Sequence, residues 1–303
     1  MRIFLTGGTG AVGRPALAAL LDAGHDVTAV VRSPEKRAQV EAAGARGVAV
    51  DLFDAAAVAA AVDGHEAVVN LATHVPTLRA ASRVSAWSEH DRLRREASGH
   101  LVDAALAAGA GRFVQESIVF LYPDGGDRWL DAATTEPEPW ALTAAALVAE
   151  DHTARFTAGG GAGVALRYGM FYGPGTAYSE TLLRAARWGV VLVAGHPDAY
   201  TSSVHVDDAA TAAVAALAAP PGVYDVVDDE PVTRRAYAAA LGRGRRPAPG
   251  GAGARASGPL RRSAGPGDRP LAAGEQPPVP GGHGLVPPLA ERRRGVRDAH
   301  QLV

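Results

Sequence analysis

Short β-branched runs alternate with longer segments of helical spacing over the first 170 residues of the chain. The runs that predict strands are Arg2–Thr6, Asp26–Val31, Gly47–Asp51, Ala67–Leu71, Arg112–Ser117 and Val164–Tyr168. The segments that predict helices are Pro15–Ala23, Pro34–Ala43, Ala55–Val62, Arg92–Ala108 and Ala141–Phe156. Six strands joined by helical crossovers predict an α/β fold with a parallel, doubly wound sheet.

After Tyr168 the pattern changes to Gly/Pro turns between shorter elements, which predicts a smaller lobe. Its predicted strands are Val190–Ala194, Ser202–Val206 and Val223–Val227, and its predicted helical segments are Thr181–Trp188, Asp207–Ala218 and Val232–Leu241. We therefore expect an α/β domain over residues 1–170 and a smaller lobe over 171–240. Residues 241–303 hold 10 of the 21 Pro and 13 of the 36 Gly with no apolar period, which predicts an irregular tail.

The charge balance favours neither nucleic acid nor a membrane surface as a partner, because 30 basic residues face 32 acidic ones. The chain has no Cys, which excludes disulfides, a thiol nucleophile and a Cys-based zinc site. No apolar run approaches the length of a membrane span, so we expect a soluble, cytoplasmic protein. Lys36 is the single lysine, so lysine-assisted catalysis is excluded everywhere else.

A glycine-rich turn between the first predicted strand and the first predicted helix carries the strongest functional signal. Its cofactor-binding residues are predicted to be Gly7, Thr9, Gly10, Ala11, Val12 and Gly13. Gly7 permits the tight turn, Gly10 lets a pyrophosphate approach the backbone, and Gly13 allows the helix to pack closely on the strand. The helix N-terminus then offers N–H groups to the phosphates, as in a Rossmann-type dinucleotide site.

The cofactor is predicted to be NADP rather than NAD. A site selective for NAD usually places an acid at the end of the second strand, but here Arg32 stands there and the first acid is Glu35. Arg32, helped by Ser33 and Lys36, is suited to a 2′-phosphate, and the less favoured alternative is a solvated loop charge. Asp51 and the adjacent Leu52 are predicted at the adenine, or Asp51 caps the helix that begins near Asp54.

The chain resembles an extended or atypical short-chain dehydrogenase/reductase of the NAD-dependent epimerase/dehydratase kind. The segments that carry the resemblance are the TGGTGAVG turn (6–13), DLFD (51–54), NLA (70–72), RFVQES (112–117), LRYGMFYGPG (166–175) and SVHVDDAA (203–210). The resemblance implies a bound NAD(P)(H), with Leu71, Ala72 and Thr73 along its path and Ser117 near the nicotinamide. It also implies a small-molecule substrate and a possible homodimer formed by the helices Arg92–Ala108 and Ala141–Phe156.

The catalytic residues of that family are the main departure. Active relatives carry a Tyr and, four residues later, a Lys on the helix after the fifth strand, where Tyr acts as acid/base and Lys lowers its pKa. Aligning on Glu150 places Leu142 and Ala146 there, and aligning on Trp140 places Trp140 and Ala144. The family's Ser/Thr is replaced by Ile118, and its frequent Asn by Arg94.

The remaining candidates for catalysis are Ser117, Tyr168 and Arg94. Ser117 is expected to donate a hydrogen bond to a bound carbonyl. Tyr168 could act as acid/base if Arg94 or Arg167 lowers its pKa, and the alternative is a packed ring with a hydrogen-bonded hydroxyl. The leading interpretation is an NADP-dependent oxidoreductase or epimerase/dehydratase-like enzyme that acts on a small carbonyl or hydroxyl compound. The alternative is a catalytically inactive NADP(H)-binding regulator.

Two further features predict no additional chemistry. His205, Asp207 and Asp208 form no second metal-binding cluster, and an Asp there is expected to cap a helix rather than to bind metal. Synonymous codons exist for Leu271–Pro288 that, when reread one nucleotide later, encode a segment resembling the family's C-terminus. We therefore hypothesise that the tail is frame-shifted between about Leu241 and Pro270, which sequencing of the gene tests.

Overall fold

The computed structural model describes residues 1–77, 80–81, 83–188 and 195–243. Its strands are β1 (Arg2–Thr6), β2 (Asp26–Val30), β3 (Arg46–Val48), β4 (Ala67–Asn70), β5 (Arg112–Ile118), β6 (Ala162–Tyr168), β7 (Met170–Tyr172), β8 (Tyr200–Thr201), β9 (Ser203–His205), β10 (Gly222–Val226) and β11 (Val232–Thr233). Its α-helices are α1 (Gly13–Asp22), α2 (Pro34–Ala42), α3 (Ala55–Val62), α4 (Ser88–Arg92), α5 (Ser98–Ala107), α6 (Ala144–Ala158), α7 (Ala177–Arg187), α8 (Val206–Ala215) and α9 (Arg234–Arg243).

A seven-stranded parallel sheet forms the centre of the fold, in the order β10-β6-β5-β4-β1-β2-β3. The chain starts in the middle at β1, moves outward to β3, returns to β4 and then moves outward the other way. This reversal beside β1 is the topological switch point at which open α/β sheets bind ligands. The predicted doubly wound, Rossmann-type fold is confirmed.

Each face of the sheet is covered by its own layer of helices. On one face, apolar residues of β1 and β4 pack with α1, α2 and α8, as Leu17, Val40 and Ala213 show. On the other face Val58 of α3, Leu101 of α5 and Phe156 of α6 pack against Phe113. Burial of both faces explains why these strands are apolar at nearly every position rather than at every second one.

The C-terminal part differs from the expectation in one important respect. The strand predicted at Val223–Val227 is β10, and it lies in the main sheet beside β6 instead of in the smaller lobe. The crossover helix α8 packs on α1, which brings the chain back to the sheet edge. The short pairs β7–β9 and β8–β11 lie outside the central sheet.

The helix predicted as Arg92–Ala108 is interrupted. It begins earlier, with the 3₁₀ turn Val84–Trp87 and α4, then passes through a π-helical turn at Leu93–Ala97 before α5 begins. The predicted strand Val190–Ala194 and nearly all of the predicted tail, including its hypothesised frame shift, lie outside the described residues. Within the described ranges, no helix is long and apolar enough to cross a membrane.

Candidate cofactor and active site

The glycine turn after β1 has the geometry that a dinucleotide site requires. Gly7 has φ +73°, and a side chain on it would overlap the carbonyl oxygen of Leu71. A side chain on Gly13 would overlap the carbonyl oxygen of Gly7, so the close approach of α1 to the turn depends on glycine. A Cβ on Gly10 would meet only the carbonyl oxygen of Gly7, at 3.2 Å, which leaves its outer side open to a ligand.

The N-terminus of α1 is open to an anion. Its N-cap residue, Val12, makes no side-chain capping bond, and no acidic residue lies in the first turn. Such a terminus combines unpaired N–H groups with the positive end of the helix dipole. A cavity of about 460 Å³ lies beside it, between Ala11, Arg14 and Gly175. The turn therefore fits the pyrophosphate of a dinucleotide.

Arg32 lies just beyond the carboxyl end of β2, with its side chain 78% exposed. Its Nη1 lies 3.3 Å from Oε1 of Glu89, and the other carboxylate oxygen of Glu89 lies 3.7 Å from Nδ1 of His74. Ser33 caps α2 by accepting a hydrogen bond from the backbone N–H of Lys36, so the loop that carries Arg32 is fixed at its base. A phosphate bound at this edge would therefore compete with Glu89 for the Arg32 guanidinium.

The alternative role of Asp51 as the cap of α3 is wrong. Asp54 caps that helix, since its Oδ1 accepts from the backbone N–H groups of Ala56 and Ala57 at 3.0 and 3.1 Å. Asp51 instead accepts from the backbone N–H of Phe53 at 2.9 Å, which shapes the turn after β3. The contact of Asp51 and Leu52 with an adenine stays a prediction.

A buried polar ladder crosses the carboxyl ends of three adjacent strands. Thr6 donates to Oδ1 of Asn70 at 2.5 Å, and Asn70 Nδ2 donates to Oε1 of Gln115 at 2.9 Å. The same Asn70 oxygen lies 3.3 Å from the backbone N–H of Ala72. The ladder therefore holds the start of the segment Leu71–Thr73, which the resemblance places along the cofactor.

Ser117 does not serve as a free donor at the end of β5. It is fully buried, and its hydroxyl donates to Oε1 of Glu150 on α6 at 2.5 Å. Arg167 binds the same carboxylate through Nε at 2.8 Å and Nη2 at 2.7 Å, and its Nη1 donates to the Tyr122 hydroxyl at 2.9 Å. Tyr122 in turn donates to Asp225 at 2.7 Å. We call these five side chains the Arg167 cluster. They bind one another, and the Ser117 hydroxyl is used within the cluster.

Burial controls the protonation of the Arg167 cluster. Burial raises the pKa of Asp225 to about 6, although Tyr122 and the backbone N–H of Ala132 donate hydrogen bonds to it. Burial and the neighbouring Asp225 both raise the pKa of Tyr122 far above its ordinary value. Tyr122 therefore stays protonated and is unsuited to act as a base.

The second buried arginine, Arg94, is 2% exposed and lies in the π-helical turn. Only its Nη2 is bonded, to the two carboxylate oxygens of Glu116 at 2.7 and 2.8 Å. Its Nε and Nη1 have no hydrogen-bond partner among the described residues, and the same holds for Nδ1 of the buried His90. Burial, then Arg94, lowers the pKa of His90 to about 3, so this ring is neutral at ordinary pH.

Tyr168 is withdrawn as an acid/base candidate. Its side chain is fully buried in the apolar layer beside α8, and its hydroxyl donates to the carbonyl oxygen of Ala209 at 3.0 Å. Burial raises its pKa well above the ordinary value, which is the opposite of the shift a base would need. Within the part of the chain that the structure describes, Arg94 binds Glu116 and the Tyr168 hydroxyl binds Ala209, so Arg94 does not activate that hydroxyl.

The positions of the family's acid/base pair hold no proton donor in either alignment. Leu142 precedes α6 and Ala146 lies buried in its first turn. Trp140 lies in the same segment before α6, and Ala144 is the first residue of that helix. Ile118, which replaces the Ser/Thr, ends β5. The described part of this cleft therefore offers hydrophobic side chains where relatives deliver a proton.

The turn before α8 is capped by His205, not by an aspartate as expected. His205 Nδ1 lies 3.3 Å from the backbone N–H of Asp207, while Asp207 and Asp208 occupy the first turn. Negative charge in that turn complements the helix dipole. Among the described residues, no group of three or more His, Cys, Asp or Glu could hold a metal ion.

Sequence reasoning missed several residues that shape this cleft: Glu89, His90, Glu116 and Glu150. One usable signal existed for Glu116, because an acid inside an apolar parallel strand requires a partner when it is buried. Nothing comparable marks Glu89 or Glu150, because acids on helices are ordinarily exposed.

Comparison with known proteins gives a consistent result. A model of the NAD-dependent epimerase/dehydratase family matches residues 3–226. The chain is 39% identical over 243 residues to a 3-diazoavenalumate denitrifying reductase from a Streptomyces species, which covers 76% of this chain and 77% of that protein. Among solved structures, Thermus thermophilus UDP-glucose 4-epimerase in complex with NAD has a TM-score of 0.73 at 20% identity and covers 97% of this chain and 93% of the epimerase. Streptomyces venezuelae dTDP-glucose 4,6-dehydratase, also with NAD, has a TM-score of 0.67 at 22% identity over 80% of each chain.

Proposed function

The chain belongs to the NAD-dependent epimerase/dehydratase family, and from this premise we propose that it is a nicotinamide-dependent reductase that replaces a diazo group by hydride. The observation that carries the proposal is the combination of a cofactor site with a cleft that has no family acid/base pair. The 39% identical relative, a denitrifying reductase of a diazo compound, supplies a reaction that suits this combination.

Loss of a diazo group as dinitrogen removes the need for a proton donor at oxygen. Bound reduced nicotinamide supplies a hydride. At a diazonium carbon, a C–H bond forms with the two hydride electrons, the C–N bond breaks, and its electron pair leaves with N₂. The charge of the diazonium group is transferred to the oxidised nicotinamide, so the step balances without a proton. Ile118, Leu142 and Ala146 are compatible with this chemistry, whereas carbonyl reduction requires an acid.

The protein's contribution is to bind and orient the two reactants. The glycine turn and the uncapped N-terminus of α1 fit the pyrophosphate. The ladder of Thr6, Asn70 and Gln115 fixes the segment after β4, which we propose lies along the cofactor. Holding the reacting carbon close to the nicotinamide in an apolar cleft provides proximity and excludes water, which would compete for a diazonium carbon.

We propose NADPH rather than NADH as the reductant. The support is Arg32, an exposed guanidinium at the end of β2 where an acid would favour NAD. Lys36 lies one helical turn away, and its ammonium donates a hydrogen bond to Gln39 at 3.5 Å. Glu89 binds Arg32, so the 2′-phosphate must displace Glu89. Because both side chains are exposed, breaking this ion pair costs little free energy.

Incubation of the purified chain with 3-diazoavenalumate and NADPH or NADH tests the proposal. We expect oxidation of NADPH, release of N₂, and deuterium on the former diazo carbon when NADPH deuterated at C4 is used. Arg32→Ala should raise the Kd for NADPH by about tenfold or more, through loss of hydrogen bonds to a charged group. Arg46→Ala, at the exposed amino end of β3, is the matched control that should leave this Kd unchanged.

Titration of the chain with NADPH, together with the turnover assay, separates the enzyme from a catalytically inactive NADP(H)-binding regulator. Saturable binding of NADPH without its oxidation by 3-diazoavenalumate or by a panel of carbonyl compounds would support the regulator. That outcome would contradict the reductase. Pairing of two chains through α5 and α6 stays a prediction, which sedimentation of the same sample tests.

A further inference from the structure

His90 lies in α4 and Arg94 in the π-helical turn that follows it, and the charge of Arg94 helps to lower the pKa of His90, so the two side chains are near each other. Both are buried, at 4% and 2% exposure. Three of their nitrogen atoms, Nδ1 of His90 and Nε and Nη1 of Arg94, have no hydrogen-bond partner among the described residues. The two Arg94 nitrogens carry N–H donors that lack acceptors, whereas Nδ1 of the neutral His90 ring, which already bonds to the backbone of His74, is an acceptor.

Such a deficit is costly and calls for an explanation. A buried polar group without a partner loses its hydration without compensation, and the cost is larger for a charged group. Glu116 neutralises the charge of Arg94 but uses only one of its three nitrogens. A guanidinium has five N–H donors, so Arg94 retains donors for a second acceptor.

The backbone conformation at Arg94 is also unusual. Arg94 lies in the π-helical turn Leu93–Ala97, between α4 and α5. π-Turns are rare and occur frequently at functional sites, where the extra residue per turn redirects a side chain. In this turn the Ser98 hydroxyl donates a hydrogen bond to the backbone carbonyl oxygen of Arg94 at 2.6 Å.

The position of Glu116 places this pair at the active edge of the sheet. Glu116 lies two residues before Ile118, the last residue of β5, and is therefore near the carboxyl end of a central strand. Ligands of open α/β sheets bind beyond the carboxyl ends of the strands. The unpartnered N–H groups thus lie on the side of the sheet where the proposed hydride transfer would occur.

We propose that Arg94 binds an anionic oxygen of the substrate, so that the enzyme acts on an organic acid and selects it by its carboxylate. This inference rests on the proposed function and specifies its substrate class. Arg94 donates to this oxygen from Nε or Nη1. Because these nitrogens do not contact solvent in this conformation, side chains around them must move when the acid enters.

The test compares 3-diazoavenalumate with its methyl ester, which lacks the carboxylate charge. For the wild-type chain, kcat/KM should be tenfold or more higher for the acid than for the ester. The double variant Arg94→Met/Glu116→Leu removes both buried charges together, which limits unfolding, and it should bring the ratio close to one. Arg95→Met, an exposed neighbour on the same helical segment, should keep the wild-type ratio.

Binding measured by calorimetry in the presence of NADP⁺ gives a readout that does not depend on turnover. The acid should bind the wild-type chain tenfold or more tightly than the ester, and the double variant should bind both equally. Its Kd for NADPH should stay within twofold of wild type. Equal binding of acid and ester by the wild-type chain, or a retained preference in the double variant, would overturn the inference. Preferential binding of the acid without turnover would leave it standing and would instead contradict the proposed reductase.

Discussion

Two arginine–glutamate pairs are buried among the described residues, and they differ in how completely their hydrogen bonds are satisfied. Arg167 uses Nε, Nη1 and Nη2, and its carboxylate partner Glu150 also accepts from Ser117. Arg94 uses Nη2 alone, although it is at least as deeply buried, at 2% against 5% side-chain exposure. Both pairs lie near the carboxyl end of the sheet, so their surroundings are comparable.

The difference distinguishes a structural pair from a pair that is available for binding. Arg167 joins β5, β6, α6 and, through Tyr122 and Asp225, β10, and a fully satisfied buried network of this kind rigidifies a core. Arg94 connects the π-helical turn to β5, and its Nε and Nη1 donors have no partner among the described residues. Burial and charge alone therefore do not distinguish the two arginines, whereas the number of unsatisfied donors does.

The largest expected effect comes from Arg167→Met. The substitution leaves the buried Glu150 carboxylate without its cation and removes a donor from Tyr122. Breaking a buried pair on one side costs about 3–5 kcal/mol, so we expect that loss in the free energy of unfolding by urea. Arg155→Met removes the exposed pair with Asp103 and is the control, with an expected loss of about 1 kcal/mol or less. Equal losses in the two variants would contradict the structural role of the Arg167 cluster.

The sequence predicts much of the fold and much less of these two pairs. The alternation of strand and helix patterns is sufficient for the order of the elements, because each buried strand is apolar and each crossover has helical spacing. It does not reveal that β10 joins the main sheet, since a short strand pairs according to the geometry of its crossover. The glycine turn is predictable residue by residue because Gly7 and Gly13 occupy places where a side chain does not fit.

The side-chain partners depend on tertiary registers that one sequence does not contain. Ser117 was expected to face a substrate, but the position of α6 against β5 turns Glu150 toward it. The π-turn shifts Arg94 relative to an ideal helix, so helical spacing does not predict the direction of its side chain. Tyr168 was expected at the cleft, but it alternates with Arg167 along β6 and lies on the opposite face.

The pH dependence of stability gives the next largest effect, through Asp225. Because burial raises its folded-state pKa from 3.8 to about 6, the folded state binds this proton more tightly than the unfolded state does. Stability from this group is therefore complete below about pH 4 and is lost as the pH rises to about 6, by about 2–3 kcal/mol. Asp225→Asn should remove that slope from the unfolding free energy measured by urea between pH 4 and pH 7. A wild-type slope that persists in the variant would assign it to another group.

A smaller loss of stability is expected for Arg94→Met. The substitution removes two unsatisfied donors together with the one bonded nitrogen, and burial already raises the pKa of Glu116, so this carboxyl can take up a proton. We expect a loss of about 1–2 kcal/mol in unfolding by urea, less than half of that for Arg167→Met. A loss as large as that of Arg167→Met would mean that the Nε and Nη1 groups are satisfied by buried water, and the contrast between the two pairs would disappear.

Ser117→Ala should have the smallest effect and should sharpen the assignment of the Arg167 cluster. The serine hydroxyl is one of three donors to the Glu150 carboxylate, and Arg167 still binds both carboxylate oxygens after its removal. We therefore expect a loss of about 1 kcal/mol in unfolding free energy and a change in kcat below about twofold. The pattern distinguishes a structural hydroxyl from one that contacts the reacting group. A large fall in kcat with unchanged stability would mean that Ser117 turns away from Glu150 toward a bound substrate, and the Arg167 cluster would then belong to the active site.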